Sequence, residues 1–255
     1  MSKLIRRIEQ LGKNEGPRIG FGLRQSSSNP PSMVLIATTK TESIKKNDVS
    51  NYPVDAVVLI QNSNKKNTPF EIASDSIVIG LQTENIDINS IKNNIDFILI
   101  NDHTIELEQL NKEDLGKILV ISEKFLKDQV SGLETLPVDA ILLSESLTTP
   151  ITLEKLLNIS ALRSDINLPF LVKLERKPSK WELDCLNEIG VQGIVADISN
   201  ITQEEFTEIS NNLKISKKRK PHKQNSNSPL LPSSTSSEES NDDYDDDDNE
   251  YEDII

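Results

Sequence analysis

Eight short apolar runs recur along the chain, and no other feature of the sequence restricts its fold as tightly. They read MVLIATT from Met33, AVVLIQ from Ala56, IVIGLQ from Ile77, FILIND from Phe97, ILVISE from Ile118, AILLSE from Ala140, FLVKLE from Phe170 and GIVADI from Gly193. Their starts lie 23, 21, 20, 21, 22, 30 and 23 residues apart. Each run is rich in β-branched residues, nearly continuous in apolar character and bounded by polar residues. A strand covered on both faces reads this way, and the even spacing points to a repeated unit.

Helix signals fill the gaps. Thr39…Glu42, Ser179…Glu182 and Thr202…Glu205 have the spacing at which hydroxyl and carboxylate satisfy each other's backbone donors. Thr149-Pro150 places a proline where a helix begins. Ile151, Leu153, Leu156, Leu157, Ile159 and Leu162 then supply an apolar face. Strand, helix, strand at this cadence predicts right-handed crossovers in a parallel sheet.

The lead-ins to the even-numbered runs favour a closed sheet. Runs two, four, six and eight follow Val54-Asp55, Ile95-Asp96, Val138-Asp139 and Val191-Gln192. Asp55 and Asp139 stand in nearly identical contexts. A helix-to-strand loop that merely favours a small residue and an Asp reads the same way. Eight strands with a two-strand period suit a (β/α)8 barrel of TIM type. No Gly-x-Gly-x-x-Gly opens a dinucleotide-binding sheet, since Gly20-Phe21-Gly22 precedes the first run and no helix follows it. The units are shorter than the roughly 30 residues of an ordinary barrel, so the helices are short, or replaced by loops after runs two and three.

The expected organisation is an N-terminal amphipathic helix in residues 1–16, a barrel over 17–215 and a disordered tail over 216–255. Leu4, Ile8 and Leu11 share one side of the first helix, which either covers the barrel bottom or pairs with a second subunit. The tail runs basic from Lys217 to Lys223, then through Ser, Asn and Pro, then acidic from Asp242 to Asp253. Such composition cannot bury enough surface to fold. Its small apolar island, Pro229-Leu230-Leu231-Pro232, is a candidate docking motif for a protein partner.

The net charge of −13 argues against nucleic-acid or anionic-membrane binding by the whole chain. The basic cluster is short, lacks interleaved aromatics and is tethered to acid. One cysteine, Cys185, excludes an intrachain disulfide and fits a reducing, cytoplasmic setting. Sharing a helical stripe with Trp181 and Ile189, it reads as a small buried hydrophobe. No apolar run is long enough to span a membrane, and the first residues lack the apolar stretch of a signal peptide.

Leu186-Asn187-Glu188-Ile189-Gly190-Val191-Gln192-Gly193-Ile194-Val195 resembles the last helix-turn-strand of phosphate-binding (β/α)8 barrels, the indoleglycerol-phosphate synthase and phosphoribosylanthranilate isomerase group. Residues Pro17 to Leu213 are also similar to uncharacterised bacterial proteins carrying such a barrel with a charged tail. The resemblance implies a phosphate held by glycine-rich backbone after strands seven and eight. Here those loops read Glu175-Arg176-Lys177-Pro178-Ser179 and Asp197-Ile198-Ser199-Asn200-Ile201, without glycine.

In this fold chemistry sits at the C-terminal ends of the strands. Lys173 interrupts the apolar seventh run and shares a face with Glu175, so an inward amine beside Glu175 or Asp197 could act as an acid–base pair or a nucleophile. A salt bridge in the upper barrel layer explains the same residues without chemistry. His103, after Asp102, is a candidate general base or a solvated loop residue. No His pair, Cys pair or tight carboxylate cluster occurs at metal-ligand spacing, and no motif implies a cofactor. Two readings follow: a non-catalytic or degenerate barrel acting as a binding or scaffold module, or a lyase or isomerase of a small anionic metabolite held at the C-terminal end of the barrel.

Overall fold

A strand buried on both faces needs apolar side chains at nearly every position; all eight runs form strands, and only the third, with Val78, Leu81 and Gln82 half-buried, is not covered along most of its length. In a computed structural model, residues 1–11, 31–40, 51–61, 77–83, 94–101, 103–125 and 130–215 are described. The tail over 216–255, with its basic, acidic and Pro-Leu-Leu-Pro segments, lies outside them, as do Glu42, Asn62 and Asp102. The strands are β1 (Val34–Lys40), β2 (Ala56–Gln61), β3 (Val78–Thr83), β4 (Phe97–Ile100), β5 (Gly116–Ile121), β6 (Ala140–Leu147), β7 (Phe170–Leu174) and β8 (Gly193–Asp197). Each pairs in parallel with the next, and β8 pairs with β1, so the sheet closes into a barrel.

Alternation divides the core in two. Val34, Ile36, Val58, Phe97, Leu99, Ile118, Leu142, Leu171 and Val195 pack together inside the barrel. The residues between them face outward, where they meet the surrounding helices. Phe97 fills so much of the interior that a Cβ on Gly80 would stand 2.3 Å from its ring.

Helix α1 (Lys3–Gln10) closes the N-terminal mouth of the barrel. Its apolar side, Leu4, Ile5 and Ile8, is fully buried with the interior residues of the strands. Ser2 caps it by accepting the Ile5 N–H. Asp96 receives the Ser2 hydroxyl at 2.5 Å, the Lys3 N–H at 2.7 Å and the Leu4 N–H at 3.0 Å. Arg7 pairs with Asp55 at 2.5 Å. Burial pushes the Asp55 carboxyl above its ordinary value, while the Leu35 N–H, Arg7 and Lys214 pull the other way. Gly116 is required by this contact, because a Cβ there would meet Ser2 at 2.8 Å and Ile5 at 3.0 Å.

The even-strand lead-ins have one structural job. The Asp55 N–H donates to the Leu35 carbonyl and its carboxylate accepts the Leu35 N–H. Asp139 does the same for Lys117, and Gln192 for Phe170. Each side chain completes the ladder at the start of the preceding strand. Asp96 keeps the backbone half of the pattern, to Ile79, and gives its carboxylate to α1.

Helix α2 (Leu153–Ser164) follows β6, α3 (Lys180–Glu188) follows β7 and α4 (Gln203–Ile215) follows β8. Between β4 and β6 lie the 3-10 turns Leu107–Leu110 and Val130–Thr135, and residues 123–125 are helical where β5 has ended. Tyr52 and Phe206 stack edge to face at 5.3 Å and tie α4 to the β2 lead-in. Gly190, at φ +88°, ends α3 in the left-handed conformation, with Val191 N–H returning to Leu186.

Four local expectations need correction. Thr39 caps no helix; it lies in β1, paired with Leu59. Helix α2 is capped by Thr152, so Pro150 precedes the cap rather than opening the first turn. On α2, Ile159 and Leu162 are buried, whereas Leu153 and Leu157 face out. On α3 the buried face runs through Leu183 and Leu186, leaving Trp181 exposed and Cys185 half-buried. In both helices the sheet is met by residues three apart, and the other apolar positions fall off that line.

Candidate functional site

The C-terminal mouth gathers the polar strand ends, and Lys173 is a half-buried amine among them. It follows Leu171 by two residues, so its side chain enters the barrel above the Leu171 layer. Burial holds the Lys173 amine below its ordinary value, and the charge of Glu145 works against that. Among the described residues its Nζ makes no ion pair within 4 Å and no hydrogen bond.

A bulge places Glu145 there. Leu142 pairs with Leu171, but the next pair is Ser146 with Lys173, so β6 spends two more residues than β7 over the same rise. Bulges re-aim side chains in this way. Glu145 is then fixed by the Glu123 N–H at 3.1 and 3.2 Å and by the Ser144 hydroxyl at 3.0 Å. Glu123 itself pairs with Lys155 of α2 at 2.6 Å. The result is a relay of fixed charges along the rim from α2 to β7.

The other expected residues are placed elsewhere. Glu175 is exposed beyond the end of β7, where its N–H bonds the Leu147 carbonyl. Asp197 closes its own turn, its Oδ1 accepting the Ser199 N–H at 2.8 Å and the Ser199 hydroxyl at 2.7 Å. His103 lies on the β4–β5 side, exposed, with Nε2 3.1 Å from the Val120 carbonyl and its ring 5.3 Å from that of Phe125. The carboxylate whose charge acts on Lys173 is that of Glu145. Glu145 had a signal in the sequence: Ser144-Glu145 follows the apolar part of run six as Ser122-Glu123 follows that of run five.

The helix starts after β7 and β8 are both capped by carboxylates of the chain itself. At α3, Glu182 accepts the Ser179 N–H at 2.6 Å and the Ile151 N–H at 2.5 Å, while Ser179 Oγ accepts the Glu182 N–H. At α4, Glu205 accepts the Thr202 N–H at 2.8 Å and Thr202 Oγ1 accepts the Glu205 N–H. Lys177 is paired with Glu208. Those backbone donors hold Glu205 and Glu182 below the ordinary glutamate range, although burial raises Glu182. An anion arriving at either helix start would meet a negative charge beside the first-turn N–H groups.

Among the described residues no three His, Cys, Asp or Glu side chains gather where a metal ion could be held. No helix among them is long and apolar enough to cross a membrane.

No protein-family model matches the sequence, and no curated protein does. Solved structures do match. Thiamine phosphate pyrophosphorylase from Pyrococcus furiosus superposes with a TM-score of 0.50 at 11% identity, over 71% of this chain and 96% of that one. The tryptophan synthase A-subunit from the same organism gives 0.52 at 12% identity, over 72% and 97%. The likeness is one of fold. At such identity it says nothing of substrate, and the shared architecture is the (β/α)8 barrel.

Proposed function

We propose that this barrel acts as a binding or scaffold module that does not process phosphate esters. The observation that carries the reading is the self-capping of α3 and α4 by Glu182 and Glu205, together with the turn closed by Asp197. The resemblance to the phosphate-binding barrel group is then one of architecture without its anion seat. The basic-then-acidic segment 216–255 supplies the contact to a protein partner in this reading. Isothermal titration of the full chain with inorganic phosphate and with glycerol 3-phosphate tests it. No saturable heat is expected; saturable binding with Kd below about a millimolar would overturn it.

A second reading rests on Lys173. A half-buried amine that loses its proton easily is a nucleophile toward a carbonyl, forming a C–N bond with release of water. Glu145 supplies the opposing charge in place of Glu175 or Asp197, and the reaction type is a lyase or isomerase step on a small anionic metabolite. Borohydride reduction in the presence of pyruvate separates the readings. A pyruvate-derived mass increment on Lys173, absent in Lys173→Ala of unchanged fold, supports turnover; an unmodified chain supports the scaffold.

A further inference from the structure

We propose that the outer face of α2, continued by Trp181 of α3, is a self-association surface on which a second copy of this chain docks about a twofold axis through Leu157. The surface lies on the outside of the barrel, so the pairing is independent of what the C-terminal mouth holds. Helix α1 is buried with the interior residues of its own barrel and leaves no apolar side for pairing.

The residues of α2 that face solvent are Leu153, Glu154, Leu157, Ala161 and Ser164. Ile159 and Leu162 hold the opposite side against the sheet. Two charges that could have dressed the outer face are turned to the flanks, Lys155 to Glu123 on one and Arg163 to the Gly190 carbonyl past the end of α3 on the other. Leu153 and Ser160 lie on the flank of Arg163, toward α3. The Ile151 N–H donates to Glu182, which joins the start of α2 to α3 beside Trp181. Leu153, Leu157 and Trp181 are therefore neighbours, and they are 72%, 61% and 59% exposed. A single exposed leucine needs no explanation. Three large apolar side chains together, with one carboxylate among them in a chain that is 27% charged, have the composition of an interface core, where charge is depleted and tryptophan enriched.

The face fits itself. With two copies of α2 antiparallel about Leu157, residues equally far from Leu157 on either side lie level. Leu157 meets its own copy, and Leu153 comes level with Ala161, between Ser160 and Ser164, so a large side chain enters the space left by small ones. The two copies of Glu154 stand six residues apart along the axis, about 9 Å, so no carboxylate faces another directly. A strongly charged partner would find almost nothing to pair with, whereas a neutral, size-matched face suits its own copy, and twofold pairs are the commonest assembly. Helices α2 and α3 span only about 18 Å and 14 Å. The contact therefore buries well under the roughly 1,600 Å² of a standard interface, and the pair forms and parts with concentration.

Sedimentation equilibrium of the full-length chain reads the pairing. A monomer–dimer equilibrium with Kd on the order of 10–100 μM is expected for a contact of this size. Trp181 is the only tryptophan of the chain, so its emission should move to shorter wavelength over the same concentration range. Leu157→Glu sets two carboxylates against each other on the twofold axis and should weaken the pairing by about tenfold or more. Its thermal midpoint in dilute solution should match that of the parent chain, because Leu157 faces solvent in the monomer. Leu157→Cys should oxidise to a disulfide between the two copies of that residue. Ser164→Cys should not, since its copies stand about 21 Å apart along the axis. The proposal is overturned if the mass stays that of a monomer at concentrations about tenfold above the expected Kd, if Leu157→Glu pairs as tightly as the parent chain, or if Ser164→Cys crosslinks and Leu157→Cys does not.

Discussion

Lys173 shows how a single charge in an apolar strand can be read twice. Its position inside the barrel was legible, because a charge between Val172 and Leu174 must either face the interior or end the strand. Its partner was not. Glu145 follows Leu142 by three residues, and alternation alone gives it the wrong face; the register shift leaves residues 143–145 without partners on β7, so alternation does not govern it. No pattern in AILLSE announces a bulge. The energetic consequence is testable. Lys173 titrates below its ordinary value of about 10.5, so between the folded and unfolded values the unfolded chain binds more protons and stability rises with pH. Below both values the native state bears the cost of half-burying a charged amine. Lys173→Met should therefore raise the midpoint of urea unfolding at pH 7, and that advantage should shrink above pH 10. A lower midpoint at pH 7 would mean that the amine is fully paired and that the mouth is a salt bridge.

The helix starts carry the decision about phosphate, and here the sequence was informative because capping chemistry is local. Ser179…Glu182 and Thr202…Glu205 need only three residues of correct spacing, and both form as expected. Thr39…Glu42 has the same spacing and fails, since Thr38 and Thr39 extend β1 against β2. A capping pattern is decisive only where the strand before it has already ended. Lys117 is missed as a strand residue for a similar reason: it precedes the Ile118 run by one residue and reads as loop, whereas pairing with Ile98 draws it into β5. Glu182 satisfies donors from two elements, so Glu182→Ala should destabilise the chain by about 1–2 kcal/mol at pH 7, as loss of a cap and of a charged acceptor does. The sign with pH follows from its lowered value. The contribution is complete above the ordinary carboxylate range and is lost as pH falls through the folded value, so parent and variant should converge in acid. Urea midpoints at pH 7 and pH 3 check both limits. A difference unchanged at pH 3 would show that the cap works by shape rather than charge.

At the scale of the whole molecule, the barrel is closed at one end by the beginning of its own chain. The amphipathic pattern of the first residues was visible, but not whether it faced the barrel or another subunit; that depended on Asp96, Asp55 and Gly116, distant in sequence. Leu4, Ile5 and Ile8 are buried almost completely, and burying three such side chains is worth roughly 5–9 kcal/mol as an upper figure. A single domain has about 5–15 kcal/mol in total. The helix is thus comparable to the net stability of the barrel it closes, and its removal also leaves Asp96 without its donors and Asp55 without Arg7. A chain lacking residues 1–11 should lose cooperative thermal unfolding and bind a hydrophobic dye, while a peptide of residues 1–11 added in trans should restore both properties. Gly116→Ala is the milder version: its Cβ intrudes on Ser2 and Ile5, so hydrogen exchange should accelerate in α1 while β7 and β8 stay protected. If the shortened chain unfolds cooperatively at the parent midpoint, the eight strands and their outer helices suffice, and the helix is an ornament on a barrel stable without it.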